Sequence, residues 1–234
     1  MTKLTKTDEE GSGWYPISID KLEILLKKSI FSERGYQHSY ALRKNLAYNL
    51  QYIQFQDRIL QDIKLSSVLY TQTIKTIVLV GSSIIESILH FMLIVNNVHS
   101  TTEWEEKVKF KGNQKKIDGA YVKIDILIYQ RLERSEIKHM TFDAMIKSAK
   151  SNNIFGKGTT IYQKLEGLRS LRNKVHLQVI NEPRDTDWNS FNSKHLSDTC
   201  KVLYAVMTSS IFSPTPDQKQ YFAYLRRNFI NYQE

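Results

Sequence analysis

Hydrophobic residues recur every three to four positions through most of the chain, which is the spacing of amphipathic helices. The clearest case is the segment 68–96, where apolar residues form one broad stripe and also occupy much of the opposite flank. That pattern is typical of a helix packed on more than one side. Similar periods predict helices over residues 17–31, 36–63, 191–211 and 216–231.

A few residues within these segments carry further predictions. Ser66 or Ser67 would cap the helix over 68–96, and Thr215-Pro216 would start the last helix. Gly81 would let a neighbour approach closely, and Asp57 would lie on the solvent side of the helix over 36–63.

One stretch has the period of a strand instead. β-branched residues occupy every second position from Val122 to Ile128, and alternation of this kind favours an extended chain. Gly112-Asn113 and Asp118-Gly119 are turn-forming pairs on either side of two lysines. We therefore expect a small β-hairpin or extended insertion at about residues 104–132, with an ordered loop as the alternative.

These periods predict an all-α bundle with a small β insertion. Only 9 glycines and 4 prolines occur in 234 residues, which favours long helices over a turn-rich β fold. We expect residues 1–16 to be loose and residues 17–65 to form N-terminal helices that pack on the core. Residues 66–234 would form the main helical domain and would include the β insertion.

Positive charge is concentrated in one part of the chain. The net charge is +9, and residues 101–180 alone carry 16 Lys and Arg against 9 Asp and Glu. A concentrated basic surface suits a polyanionic partner such as RNA, although solvated lysines without a partner would give the same count. The single Cys200 argues against a disulfide framework or a multi-cysteine zinc site. It suits a reducing cytoplasmic location.

Two segments bear on whether the protein associates with a membrane. Residues 1–16 lack the apolar core of a signal peptide. Residues 77–95 approach the length of a membrane span, but they contain Glu86 near the middle together with serines and a histidine on one helical face. A buried bundle helix with one polar stripe explains this composition better, so we expect no membrane partner.

The strongest candidate for chemistry is the helix predicted from about residue 159 to Leu177. Arg169, Arg172, Asn173 and His176 follow i, i+3, i+4, i+7 spacing, which stacks them along one face. Arginine binds phosphate bidentately, and histidine exchanges a proton near neutral pH. A basic surface helix whose histidine lies near an arginine by chance is the alternative.

Glu86 is a carboxylate on an otherwise apolar helix, so it must find a partner or shift its pKa. It could pair with Arg169, Arg172 or Lys75, or it could orient the arginine or histidine of the candidate site. Both interpretations predict that its helix packs against the Arg–His helix. Two lysines are candidate RNA contacts: Lys157, before the helix, and Lys174, between Asn173 and His176. No helix-borne pair of histidines with a carboxylate is present, so we expect neither a catalytic metal nor a cofactor.

The sequence Leu-Arg-Asn-Lys-Val-His-Leu at 171–177, following a long apolar helix with Glu86, resembles the HEPN (higher eukaryotes and prokaryotes nucleotide-binding) family. The family signature is an arginine, four to six residues and a histidine, often with a polar residue directly after the arginine. Arg169 and His176 fit the spacing, whereas Arg172-Asn173 fits the arginine-plus-polar feature with only three residues before His176. The resemblance covers roughly residues 66–180, and Arg172, assisted by Arg169, is the favoured arginine.

The resemblance implies a HEPN-like helical bundle and a metal-independent endoribonuclease of a toxin or antiviral defence system. His176 would then act as general acid or base, and Arg172 with Arg169 would stabilise the phosphate while Asn173 positions the substrate. It also implies a homodimer in which two such motifs meet, and an antitoxin or other defence-system protein as a possible partner. A non-catalytic HEPN-like module that binds RNA, a nucleotide or a protein is the alternative.

Overall fold

Helices make up most of the computed structural model, which describes residues 14–175, 184 and 186–226. The predicted fold class of helices with a minor β part is confirmed at this level. The elements in chain order are α1 (Ile19–Lys27), α2 (Ser39–Asp62), α3 (Ser67–Val95), β1 (Thr101–Lys111), β2 (Lys115–Ile117), β3 (Ala120–Val122), β4 (Asp125–Ile137), α4 (Phe142–Ser151), α5 (Ile161–Asn173), α6 (Asp187–Ser190), α7 (Ser193–Met207) and α8 (Pro216–Gln220).

The chain divides into two compact units. Residues 99–141, which contain all four strands, form one of them and are called the hairpin unit below. The chain before and after that segment forms the other, called the helical unit, and its described part comprises residues 14–98, 142–175, 184 and 186–226. The helical unit is therefore built from two segments that are discontinuous in sequence.

Helix α3 lies at the centre of the helical unit and contacts α2, α4, α5, α6 and α7. Ser66, one of the two predicted caps, accepts a hydrogen bond from the Leu69 N–H at the start of the helix. Residues on both flanks are buried, including Ile77, Ile84, Ile74 and Ile85. The two-sided apolar pattern thus reflects a helix enclosed by its neighbours. Within the described residues, α3 is long and apolar enough to cross a bilayer, and 61% of its most apolar window is buried in the protein.

Gly81 allows the close approach of α7 to α3. A Cβ at this position would lie 3.0 Å from Leu203 Cδ1 and 3.1 Å from Thr199 Cγ2. Both neighbours would have to move to accommodate it, because packed interiors contain little free space. The sequence-based expectation of a close neighbour at this glycine is confirmed.

The C-terminal helices differ from their predicted lengths. Helix α7 begins at Ser193 because Asn192 accepts hydrogen bonds from the N–H groups of Lys194 and His195. The Thr215-Pro216 start is confirmed as a capping box. Helix α8 nevertheless ends at Gln220, and a 3₁₀ turn follows at Ala223–Arg226. The prediction of one helix reaching residue 231 is therefore wrong within the described part of the chain.

Asp57 corrects the predicted orientation of α2, since it was assigned to the solvent side and is 4% exposed. The Gln61 side chain donates a hydrogen bond to its carboxylate.

Burial raises the pKa values of Cys200 and Tyr224 well above their usual values, and the charge of Asp57 acts in the same direction. The protonated Tyr224 hydroxyl donates to the Leu50 carbonyl at 3.4 Å. A deeply buried carboxylate is an exception that periodicity alone does not reveal.

The hairpin unit confirms the β prediction and extends it. Strands β1 and β4 pair antiparallel from Thr101–Ile137 to Lys111–Asp125, so the ribbon is longer than the predicted 104–132. Strands β2 and β3 continue it to a tip at Asp118-Gly119, where both residues have positive φ, as a tight type I′ hairpin turn requires. The ordered-loop alternative is wrong.

Candidate functional site

Helix α5 carries the candidate site and is held in place by three neighbours. It contacts α3, α4 and α7. Its buried residues are Ile161, Tyr162, Leu165, Leu168 and Leu171, which recur at helical spacing. The predicted packing of the Glu86 helix against the Arg–His helix is confirmed. The polar residues of α5 are thereby fixed at the surface between defined elements.

Arg172 is anchored by Glu86. One guanidinium nitrogen, Nη2, lies 3.4 Å from the Glu86 Oε2 atom of α3. The side chain of Arg172 is 36% exposed and that of Glu86 is 26% exposed. An arginine has five N–H donors in a rigid fork, so this contact leaves others to bind an anion. Glu86 thus pairs with one of its three predicted partners, while Lys75 pairs with Asp187 at 3.0 Å.

Arg169 is held by a different helix. Its Nη1 atom lies 3.0 Å from Oδ1 of Asp143, in the first turn of α4. Lys147 shares the same carboxylate at 2.7 Å. The hydrogen bond from Lys147 is the main cause of the lowered pKa of Asp143; desolvation opposes it, and the charge of Arg169 reinforces it. The two arginines of the motif are therefore anchored by carboxylates on separate helices.

The end of α5 corrects one premise of the motif. The helix was predicted to run to Leu177 but ends at Asn173. The next two amides, those of Lys174 and Val175, donate to carbonyls three residues back, as in a tightening last turn. His176 lies outside the described residues. Helical spacing therefore cannot be used to place its imidazole beside Arg169 and Arg172.

The remaining predicted residues separate into two groups. Asn173 and Lys174 are exposed and follow directly after Arg172. Cations at the carboxyl end of a helix are favoured by its dipole. Lys157 is exposed in the turn before α5, and the 13-residue helix separates it by about 20 Å from the other end. It therefore lies apart from the cluster formed by Arg172, Asn173 and Lys174.

The basic excess is strongest around α4 and α5. Residues 142–175 carry 7 Lys and Arg against only Asp143 and Glu166. Asp143 pairs with Lys147 and Arg169, and Glu166 pairs with Lys150 at 3.2 Å. The positive charges outnumber these carboxylates, so this part of the helical unit retains a net positive charge that favours polyanions.

A groove on another face of α5 was not predicted. It has a volume of about 490 Å³ and lies between α5 and the α6–α7 region. Its lining includes Lys164, Ser170, Lys174, Lys194, His195 and Asp198. The sequence signal was weak, because His195 is one of six scattered histidines and the groove joins residues about thirty positions apart.

His195 is the titratable group of this groove. It is half-buried, and its Nδ1 atom has no hydrogen-bond partner among the described residues. Burial lowers the pKa of His195; Asp198 opposes this shift, and Lys194 and Lys174 reinforce it. A neutral imidazole with an unused nitrogen can either donate or accept a hydrogen bond.

Other chemistry has little support in the described residues. They contain no group of three or more His, Cys, Asp or Glu side chains arranged to hold a metal ion. Cys200 is buried, and its raised thiol pKa disfavours the nucleophilic thiolate. The polar face of α5 is therefore the best-supported site, with the His195 groove on another face of that helix.

Comparison with known proteins adds nothing to this picture: no protein-family profile, curated protein or solved structure matches the chain.

Proposed function

We propose that the protein is a metal-independent endoribonuclease of the HEPN type, in which α5 presents Arg172 and the following residues to RNA. The observation that carries the proposal is the Glu86–Arg172 pair. The Glu86 carboxylate of the central helix lies 3.4 Å from the guanidinium and orients it, while the Arg172 side chain remains 36% exposed. An oriented, accessible arginine is suited to binding a phosphodiester and stabilising charge that develops on it.

The reaction uses side-chain groups and the RNA itself. A ribose 2′-hydroxyl loses its proton and attacks the adjacent phosphorus, and the bond to the 5′-oxygen of the next nucleotide breaks. The leaving oxygen takes a proton, so the products carry a 2′,3′-cyclic phosphate and a 5′-hydroxyl. His176 serves as general acid or base, and Arg172 stabilises the phosphoryl oxygens.

The surrounding residues have supporting roles. Glu86 is a positioning residue that acts through Arg172. Arg169 and Lys174 add positive charge for the RNA backbone, and Asn173 positions the substrate. Lys157, at the far end of α5, contacts a more distant phosphate. Two copies of the site come together in a homodimer, and an antitoxin or other defence-system protein controls it.

One observation favours a second candidate function. Arg172 and Arg169 are each already paired with a carboxylate, and such pairing is also expected of arginines that only hold the bundle together. The second candidate is a non-catalytic HEPN-like module that binds RNA through the basic surface of residues 142–175.

Incubation of the purified protein with end-labelled RNA in excess EDTA separates the two. The nuclease predicts cleavage that resists the chelator and leaves 2′,3′-cyclic phosphate ends. Retarded but intact RNA would favour the binding module. Cleavage that needs added metal, or that leaves 3′-hydroxyl ends, would contradict the proposed mechanism. Lys21→Ala, which removes one exposed positive charge from α1, is the matched control and should cleave at the wild-type rate.

A further inference from the structure

The hairpin unit has an open strand edge. Its main sheet contains only β1 and β4, so β1 is hydrogen-bonded along one edge and no other described strand covers its second edge. The strand is 11 residues long, and every residue except Thr102 is exposed. An exposed edge of this length presents unpaired N–H and C=O groups that another strand can use.

The charges of β1 are sorted along its length. Glu103, Glu105 and Glu106 occupy the first half, and Lys107, Lys109 and Lys111 occupy the second half. In an antiparallel pairing of two identical strands, the first half of each strand faces the second half of the other. Carboxylates would then lie opposite ammonium groups on both sides of the twofold axis, as an isologous interface requires.

We propose that β1 pairs antiparallel with β1 of a second copy of this chain, so that two ribbons form one four-stranded sheet. Such pairing would also cover part of Trp104 and Phe110, which are 54% and 55% exposed. Burial of aromatic surface favours association, and a four-stranded sheet is more stable than an isolated two-stranded ribbon.

The other edge of the ribbon is self-complementary over a shorter stretch. In β4, Arg131, Glu133, Arg134 and Glu136 alternate in sign, so two antiparallel β4 strands would pair Arg131 with Glu136 and Glu133 with Arg134 in one register. Sliding one strand by one residue would place Glu133 opposite its own copy, or Arg134 opposite its own copy, with no opposite-charge pair to offset it. The separated acidic and basic halves of β1 keep opposite-charge pairs in neighbouring registers, so β1 is the favoured edge and the control below tests pairing through β4.

The pairing does not depend on one exact register. The β1–β4 ladder shifts between Thr102 and Trp104 and again between Glu106 and Val108. These bulges change which side chains share a face. In every register whose twofold axis lies near Lys107, the acidic half of one β1 strand still lies opposite the basic half of the other. The carboxylates on the same edge also make a nucleic acid or an anionic membrane a poor occupant.

Two charge-reversal variants test the proposal. Glu105→Lys/Glu106→Lys makes the edge basic, and Lys109→Glu/Lys111→Glu makes it acidic. Both leave the Glu103–Arg131 ion pair, at 3.0 Å, intact. Sedimentation of the full-length proteins at low salt should show that each variant self-associates at least about tenfold more weakly than the wild type. An equimolar mixture of the two, labelled with different fluorophores, should form a heterodimer at least as tight as the wild-type dimer.

The matched control reverses two charges on β4, Glu133→Lys/Glu136→Lys, and should leave the wild-type dimer unchanged. Far-UV circular dichroism and thermal melting establish that each variant is folded. If a double variant is not folded, the corresponding single variant, Glu105→Lys or Lys109→Glu, replaces it. The proposal is overturned by a wild-type protein that stays monomeric at its highest soluble concentration. It is equally overturned if folded variants self-associate like the wild type, or fail to associate when mixed. The homodimer proposed for the α5 site would contribute equally to the association of every variant, so the contribution of β1 is the difference from the wild type and from the β4 control. That difference is independent of RNA cleavage.

Discussion

Helix α3 and strand β4 are both rich in isoleucine and leucine, yet they place these residues in opposite environments. Leu89 and Ile85 of α3 are fully buried, whereas Ile126 of β4 is 55% exposed and Ile124, just before the strand, is 74% exposed. The helix is enclosed by five other helices, while β4 has a single partner strand. Similar apolar composition therefore stabilises the fold in one unit and leaves a surface for association in the other.

The comparison also separates two kinds of function. The helical unit holds the anchored arginines and the basic segment of residues 142–175, which the proposed chemistry needs. The hairpin unit carries a strand whose charges are complementary to those of a second copy. Changes in one unit should therefore leave the property assigned to the other largely intact, and the following predictions test that separation.

The largest effect is expected from His176→Ala. Loss of a general acid–base group lowers a rate by about a hundred- to ten-thousand-fold. The variant should remain folded, because the substitution adds no charge or bulk. Single-turnover cleavage of labelled RNA in EDTA measures the loss. The matched comparison is Glu105→Lys/Glu106→Lys in β1, examined at an enzyme concentration where any dimer is saturated. A folded His176→Ala protein with wild-type activity would remove the proposed catalyst.

The second contrast concerns stability. Leu89→Ala deletes a fully buried side chain and should lower the free energy of unfolding by about 2–5 kcal/mol. Ile126→Ala deletes apolar atoms from an exposed strand position opposite Phe110 and should change it by no more than about 1 kcal/mol. Urea unfolding at low protein concentration and high salt measures both in the monomer. If Leu89→Ala and Ile126→Ala lowered the free energy of unfolding by similar amounts, Ile126 would have to be buried within its own chain.

The smallest effect is a pH dependence at His195. Burial holds the pKa of His195 below its usual value, so the unfolded chain binds a proton more readily than the folded one. The contribution of His195 to the free energy of unfolding is fully present above about pH 6.5. It is lost as the pH falls towards the pKa that His195 has in the folded protein. His195→Gln should therefore lose less thermal stability than the wild type between about pH 7.5 and about pH 5.5. Equal losses would indicate that His195 titrates normally in the folded protein.

Much of the fold could be predicted because the helices obey a simple period. The starts of α3 and α8 followed from Ser66 and from Thr215-Pro216, and the Asp118-Gly119 turn located the ribbon tip. The full length of the ribbon could not be predicted, because the alternation of apolar and polar residues in β1 is interrupted at Glu106 and is absent from its first three residues. The break after Gln220 also lacked a local signal, since the apolar spacing continues beyond it.

The site was only partly predictable for a related reason. The Glu86–Arg172 pair was among the expected alternatives, because a carboxylate on an apolar helix needs a partner. The Arg169–Asp143 pair and the His195 groove depend on how α4 and α7 pack against α5, which no local pattern specifies. The predicted extension of α5 to Leu177 assumed that helical spacing continues, whereas the helix ends at Asn173.

The central claim is that Arg172, positioned by Glu86, binds the reacting phosphate. Its most direct test is the single-turnover rate of RNA cleavage in EDTA for Arg172→Lys, Glu86→Gln and the double variant, with Arg169→Lys as the matched control. Lysine keeps the charge but loses the planar fork, so Arg172→Lys should slow cleavage by about a hundredfold or more. Glu86→Gln should have a smaller effect that largely disappears in the Arg172→Lys background, because Glu86 acts through Arg172. Arg169→Lys should also slow cleavage less than Arg172→Lys does. Wild-type rates for a folded Arg172→Lys protein would contradict the account.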